Sequence, residues 1–147
     1  LWRLSKDMQY FKEVTWGHHV LMGRKTWDSI PPKFSPLPGR TNIIVTRQEG
    51  FVCEGCLVVK NVEEGIELAR NSGEQELMII GGGEIYKQAL PFTNKIYLTK
   101  VHHTFADADT FFPELDLEQW TTLNAEWNMA DEKNEFDFEF IVLERKA

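Results

Sequence analysis

The fold of this chain is decided by the stretch LMIIGGGEIY, residues 77–86. Residues 77–80 form a short apolar run that predicts a buried strand, and residues 84–90 predict a helix that stops at Pro91. The three glycines between them leave backbone N–H groups open at the start of the helix, where a nucleotide phosphate can bind. A tight turn without a ligand explains the same spacing, and the dinucleotide fingerprint GxGxxG is absent.

Strand and helix patterns continue to alternate on both sides of this stretch. We predict strands at residues 18–22, 41–46, 57–60 and 95–101, and helices at 6–15, 62–71 and from 23 to about 30. Residues 120–127 and 136–144 predict a terminal antiparallel hairpin. This order of elements predicts a single α/β domain over residues 1–147, with a mostly parallel central sheet flanked by helices.

Composition narrows the class of protein. The chain has 147 residues, of which 42% are hydrophobic, and this fits one globular core. Because no apolar run approaches the ~20 residues that cross a bilayer and no secretory pattern opens the sequence, we expect a soluble, cytoplasmic protein. The net charge of −7 disfavours a nucleic-acid surface, and nothing in the pattern demands a partner, so we expect a monomer.

The two cysteines, Cys53 and Cys56, form a single CxxC in a predicted turn. A redox motif or half of a zinc site has the same spacing. No second CxxC is present for zinc and no helix pattern follows Cys56, so two reduced thiols are the expectation.

Basic residues occur where several predicted strands end. The turn GRKT, residues 23–26, places two cations at a helix start, which the helix dipole disfavours unless an anion is present. Thr46 and Arg47 follow the next strand, and Lys60 follows the one after it. Ligands of open α/β sheets bind outside these strand ends, so the cluster suits a 2′-phosphorylated nucleotide. Solvated surface charges remain the alternative.

Asp7 is the carboxylate with the most suggestive neighbours. Tyr10 and Phe11 lie one helical turn later on its side of the predicted first helix. If that face lines a pocket, the carboxylate can accept two hydrogen bonds from a flat amino-substituted heterocycle while Phe11 packs on the ring. The alternative is a favourable partner for the helix dipole in the first turn.

Seven blocks of the sequence together resemble the bacterial dihydrofolate reductases. They are WRLSKDMQYFK at residues 2–12, MGRKTWDSI at 22–30, LPGRTN at 37–42, IIGGGEIY at 79–86, IYLT at 96–99, ADTFFP at 108–113 and FIVLER at 140–145. The blocks follow the family order over essentially the whole chain. The resemblance implies a dihydrofolate reductase-like three-layer fold and NADPH-dependent reduction of dihydrofolate, with hydride transfer to pteridine C6 and protonation at N5. It also implies binding of antifolate inhibitors and no metal.

Residue roles are implied by the resemblance position by position. Asp7, Trp2 and Thr99 form the catalytic group, in which Asp7 binds the pteridine amidine edge with help from Thr99. The implied substrate-binding residues are Asp7, Phe11, Ile30, Leu37, Arg40, Ile80, Tyr86 and Thr99, with Arg40 pairing with the glutamate-tail carboxylate. The implied NADPH-binding residues are Gly23, Arg24, Lys25, Thr26, Thr46, Arg47, Lys60, Gly82, Gly83, Glu84, Ile85 and Gln88.

The start of the chain departs from the family pattern. The resemblance implies a further strand and a mobile loop before Trp2, with that strand between those at residues 77–80 and 95–101. We therefore expect either that these residues precede Leu1 in the complete protein or that the chain is a fragment completed in trans. A related pterin or pyrimidine reductase and a non-catalytic nucleotide-binding fragment are the competing hypotheses.

Overall fold

The computed structural model describes residues 5–101, 115–132, 134 and 136–146. These residues divide into two compact units, one made of residues 15–90 and the other of the described residues before 15 and after 90. The elements in chain order are α1 Ser5–Thr15, β1 His19–Gly23, α2 Arg24–Ser29, β2 Thr41–Val45, β3 Leu57–Val59, α3 Val62–Asn71, β4 Met78–Gly81, α4 Gly83–Ala89, β5 Lys95–Val101, β6 Trp120–Asn128 and β7 Phe138–Arg145. Short 3-10 turns occur at Pro32–Phe34, Leu90–Phe92 and Leu117–Gln119. The single domain over 1–147 stays a prediction.

The unit of residues 15–90 is built on a parallel sheet with the strand order β3-β2-β1-β4. Alternate residues along a strand point to opposite faces, and both faces are covered here. One face holds Leu21, Ile43 and Val45 against apolar residues of α3 and α4. The opposite face holds a core around Val20 and Met22, against which Trp27 of α2 and the following loops pack. Burial on both faces explains why these strands are nearly continuous apolar runs.

The other unit contains a three-stranded antiparallel sheet with the order β5-β7-β6. Phe138 and Phe140 are its buried core, and Tyr10 of α1 stacks on Phe140 with ring centroids 4.1 Å apart. The predicted hairpin is confirmed, but β7 starts two residues later than predicted, at Phe138. The reason is local, because the Asp137 carboxylate accepts a hydrogen bond from the Ala130 backbone N–H at 2.7 Å and so belongs to the turn.

Strand ends differ from prediction by one or two residues elsewhere as well. The strand predicted to reach Lys60 ends at Val59, because Asn61 caps α3 by accepting a hydrogen bond from Glu64 N–H at 2.7 Å.

The prediction of two reduced thiols is wrong: Cys53 and Cys56 are joined as a disulfide, with Cα atoms 5.8 Å apart. Helices α1 and α3 and strand β5 lie at or within one residue of their predicted positions.

The predicted doubly covered parallel sheet and terminal antiparallel strands are both confirmed. Strands β4 and β5, between which the resemblance implies a further strand, each lie at an edge of their own sheet among the described residues. In that same part of the chain, no helix has the length and apolar character that crossing a membrane requires.

Candidate functional site

The carboxyl ends of the four parallel strands lie along one edge of their sheet, as parallel strands require. The end of β1 packs closely on α4: a Cβ added at Gly23 would lie 3.0 Å from Cγ1 of Ile85. The ends of β2 and β3 are joined by a hydrogen bond of 3.0 Å from Thr46 N–H to the Val59 carbonyl. Residues that follow these strands are therefore held near one another.

A surface pocket of about 330 Å³ opens at this edge. Its lining residues are Val45, Thr46, Arg47, Lys60, Asn61, Glu84, Ile85 and Gln88. Six of these are predicted NADPH-binding residues, contributed by the segments after β2 and β3 and by α4. Neither Arg47 nor Lys60 has a carboxylate within ion-pair distance in the described part of the chain. The pocket thus presents two cations and a hydroxyl group, which suit a phosphate, together with one carboxylate, that of Glu84.

The other predicted cofactor residues do not line this pocket: Gly23, Arg24, Lys25, Thr26, Gly82 and Gly83. Arg24 already has protein partners, since its Nε donates to the Asp28 carboxylate at 3.1 Å and its Nη1 to Gln48 Oε1 at 2.6 Å. Its guanidinium also lies 4.1 Å from the ring centroid of Phe51. The expectation that the helix start of α2 needs a ligand anion is weakened, because Asp28 supplies a negative charge one turn away. Lys25 is exposed and Thr26 is half-buried.

Local geometry requires glycine at the first of the three glycine positions, Gly81. Gly81 has a φ of 118°, a backbone conformation that residues with a side chain rarely adopt. A Cβ there would lie 3.2 Å from the Tyr86 hydroxyl oxygen. The peptide between Gly81 and Gly82 is cis, and the Gly82 carbonyl accepts the first helical hydrogen bond of α4 from Tyr86 N–H at 2.9 Å. Tyr86 is half-buried, and this burial raises the pKa of its hydroxyl. The turn therefore brings Tyr86 against the glycine backbone.

Three predicted substrate-binding residues share one face of the parallel sheet. Ile30, Leu37 and Ile80 are partly buried and pack against the core formed by Val20, Met22 and Ile44. The structure therefore brings these three apolar side chains to a common side. Their role toward a substrate stays a prediction.

Arg40 is held by neutral groups. Its Nε donates to the Pro38 carbonyl at 2.8 Å, and its Nη1 donates to Thr15 Oγ1 at 3.2 Å. Partial burial lowers the pKa of the Arg40 guanidinium below its ordinary value, although arginine stays charged. Among the described residues no carboxylate lies within ion-pair distance of it. A half-buried cation without a counter-charge is suited to bind an anion.

Asn42, which was not predicted as a site residue, fixes the turn that carries Arg40. Asn42 is buried, and its Oδ1 accepts from Leu37 N–H at 2.9 Å. Its Nδ2 donates to the carbonyls of Leu37 and Arg40 at 3.1 and 3.2 Å. The available signal was an amide inside an otherwise apolar strand pattern, because a buried amide needs partners.

In the other unit, Asp7 and Thr99 are brought together although 92 positions separate them. The Thr99 hydroxyl donates to Asp7 Oδ1 at 2.6 Å, and the carboxylate is half-buried. Tyr10 packs into the aromatic core of this unit, whereas Phe11 is 39% exposed. Trp2, the remaining member of the predicted catalytic group, lies outside the described residues.

Glu74, His18 and His19 form a polar cluster at the end of β1 opposite Gly23, and this cluster was not predicted from the sequence either. Glu74 accepts from the His19 backbone N–H, and its oxygens lie 3.3 Å from His18 Nδ1 and 3.1 Å from His19 Nδ1. Burial alone would raise the pKa of Glu74, but the hydrogen bonds from His19 and His18 outweigh it and leave the pKa below its ordinary value. No trio of His, Cys, Asp or Glu in the described ranges is arranged to hold a metal ion.

Comparisons with known proteins extend over nearly the whole chain. The profile of the dihydrofolate reductase family matches residues 1–145. The chain is 40% identical to dihydrofolate reductase of Bacillus subtilis over 145 residues, which are 99% of this chain and 83% of that protein. It is 43% identical to that of Haemophilus influenzae over 145 residues, 99% of this chain and 86% of that protein. A solved structure, dihydrofolate reductase from Enterococcus faecalis complexed with NADP(H) and RAB-propyl, has a TM-score of 0.87 and 32% identity, covering 99% of this chain and 84% of that one.

Proposed function

This chain belongs to the dihydrofolate reductase family, and we propose on that premise that it reduces 7,8-dihydrofolate to tetrahydrofolate and so supplies one-carbon metabolism. The observation that carries the proposal is the half-buried carboxylate of Asp7, hydrogen-bonded by Thr99 at 2.6 Å. Because the related enzyme of Enterococcus faecalis is complexed with NADP(H), we assign NADPH as the hydride donor.

Asp7 accepts two hydrogen bonds from the amidine edge of the pteridine and thereby fixes the orientation of the ring. Two carboxylate oxygens offer about four acceptor positions in all, so the bond from Thr99 leaves enough for the ring. The negative charge beside the ring favours protonation of N5, and water supplies that proton. NADPH, when bound, supplies the hydride that reaches pteridine C6. Trp2 belongs to the same catalytic group.

Arg40 binds the carboxylate of the glutamate tail. Its present partners are a carbonyl and a hydroxyl, so its positive charge is not neutralised and its planar fork can take a carboxylate in bidentate form. The apolar residues assigned to the pteridine, the benzoyl group and the nicotinamide are Phe11, Ile30, Leu37, Ile80 and Tyr86.

The pocket at the carboxyl ends of β2 and β3 fits the adenosine 2′-phosphate of NADPH. Two cations without carboxylate partners in the described ranges, Arg47 and Lys60, and the hydroxyl group of Thr46 supply donors for a phosphate. A local cationic pocket in a chain of net charge −7 supports a specific anion site over general surface charge. We assign to the rest of the cofactor Gly23, Arg24, Lys25, Thr26, Gly82, Gly83, Glu84, Ile85 and Gln88.

The test is NADPH oxidation by the complete purified protein with dihydrofolate as substrate. An Asp7→Asn variant keeps the shape of the side chain but removes its charge, so we expect kcat near neutral pH to fall by about 100-fold or more. Glu13→Gln is the matched control, because Glu13 lies on the same helix, is exposed, and accepts a hydrogen bond from the nearby Gln9 Nε2 at 3.3 Å. This control should keep wild-type turnover.

Normal turnover by the Asp7→Asn variant would refute the role of the carboxylate. Titration with a diaminopyrimidine antifolate gives a second measurement, since loss of the Asp7 charge should weaken its binding while the Glu13→Gln control binds normally. A wild-type protein that oxidises NADPH with another pterin or a pyrimidine, but not with dihydrofolate, would support the related-reductase hypothesis instead. A cytoplasmic location and a monomeric state stay predictions, and size-exclusion chromatography tests the second.

A further inference from the structure

Beside the turn that carries Arg40 lies an aromatic residue to which neither the motifs nor the proposed function assigns a role. Trp16 follows directly after α1 and is 51% exposed. The Arg40 guanidinium carbon lies 5.6 Å from the centroid of its ring, within the range of a cation–π contact.

The position of the indole is set by its surroundings. A Cβ added at Gly39 would overlap the Trp16 ring, and Gly39 has a φ of 72°, so only glycine both makes this turn and admits the ring. A backbone hydrogen bond from Gly17 N–H to the Gly39 carbonyl at 2.8 Å ties the segment after α1 to the same turn. The indole is therefore seated on the backbone of the residue that precedes Arg40.

These contacts constrain the guanidinium from three directions. The Pro38 carbonyl accepts from Nε, the Thr15 hydroxyl accepts from Nη1, and the Trp16 ring lies against the guanidinium group. All three partners are neutral, so they orient the fork without consuming its charge. Two of its five N–H groups are used in these hydrogen bonds, which leaves donors for an incoming carboxylate.

We propose that Trp16 is a positioning residue that sets the preference of this enzyme for substrates with an acidic tail. The indole holds the Arg40 guanidinium in the orientation in which its N–H groups can bind the tail carboxylate of dihydrofolate. It therefore strengthens binding of the tail and contributes nothing to binding of the pteridine. The inference rests on the proposed function and deepens it, because it assigns a specificity determinant to the tail end of the substrate.

The test compares dihydrofolate with a 7,8-dihydropterin that lacks the benzoyl-glutamate tail. In a Trp16→Leu variant we expect KM for dihydrofolate to rise about 2- to 5-fold, the range of an exposed cation–π contact. We expect kcat for dihydrofolate and both constants for the tailless substrate to stay unchanged. A Trp16→Phe variant keeps an aromatic face and should recover most of the wild-type KM.

A double-mutant cycle separates positioning from general packing. In an Arg40→Lys background, where the planar fork is already lost, Trp16→Leu should add no further increase in KM for dihydrofolate. Calorimetric binding of folic acid, compared with the tailless pterin, gives the same comparison without turnover. Equal losses with both substrates, a change confined to kcat, or full additivity in the Arg40→Lys background would overturn the inference. Absence of dihydrofolate turnover by the wild type would instead overturn the proposed function.

Discussion

A Glu74→Gln substitution should destabilise the protein at neutral pH without impairing the proposed active-site residues. The Glu74 side chain is 9% exposed, and each of its oxygens faces a backbone donor: His19 N–H points at Oε1 and Gln75 N–H at Oε2, the latter at 3.1 Å. A glutamine has one oxygen and one NH₂ group. Whichever way the amide is turned, one backbone N–H therefore meets another donor.

The magnitude follows from the loss of the charge and from that mismatch. Hydrogen bonds to a charged group are worth about 1.5–3 kcal/mol, so we expect a loss of about 2 kcal/mol in the free energy of unfolding. For a chain of this size that loss corresponds to a fall in Tm of about 4–8 °C. Glu67→Gln is the matched control, because Glu67 is 58% exposed and its pair with Arg70 is worth little.

The loss should also depend on pH in a defined direction. Burial would raise the pKa of Glu74, but its hydrogen bonds lower it overall, so the folded-state pKa lies below the unfolded one. The stabilisation is then complete above the unfolded pKa of about 4.3 and is lost as pH falls through the folded pKa. Urea unfolding of wild type and variant at about pH 7 and about pH 3.5 measures this. A variant as stable as wild type at pH 7, or a deficit that is undiminished in acid, would refute the reasoning.

Three further predictions concern the site and its support. Asn42→Ala removes three hydrogen bonds from the turn that carries Arg40, so the free energy of unfolding should fall by about 2–3 kcal/mol. KM for dihydrofolate should also rise in steady-state assays. Arg47→Gln should raise KM for NADPH about 10-fold and leave KM for NADH unchanged, because NADH lacks the 2′-phosphate. Gly65→Ala should lower stability in denaturant titrations by about 1–3 kcal/mol, despite its better helix propensity, because the added methyl group would overlap Leu21 in the core.

Local patterns were sufficient to predict most of the fold. Helix α3 was predicted at the residues where it occurs, because its apolar spacing and Gly73 beyond its end agree on the same limits; the structure adds the Asn61 cap. Strand β5 was located equally well. The predicted strand limits are wrong where a side chain takes a hydrogen bond that strand pairing would otherwise use. At Asp137 the carboxylate accepts from Ala130 N–H, and β7 begins one residue later. Such a contact depends on the turn geometry, which spacing alone does not specify.

The candidate site was less predictable because its contacts span long sequence distances. Spacing identified Thr46, Arg47 and Lys60 as a cluster, since parallel strands bring their carboxyl ends together. The pairing of Thr99 with Asp7 came only from family resemblance, because no local rule connects positions 92 residues apart. The pairing of Arg24 with Asp28, one helical turn away, was not predicted either.

This difference between cations is itself informative about function. Arg24 and Arg70 each have an acid one helical turn away in sequence, whereas Arg40 and Arg47 have no carboxylate within ion-pair distance in the described residues. In a chain with seven more negative than positive charges, acids are abundant, so an unpaired cation is not explained by their scarcity. Arg40 is half-buried, so its charge costs stability without a counter-ion among the described residues, and that cost is offset when a ligand anion binds; Arg47 is exposed. Under the proposed function, we expect Arg40 to bind the tail carboxylate and Arg47 to bind the 2′-phosphate.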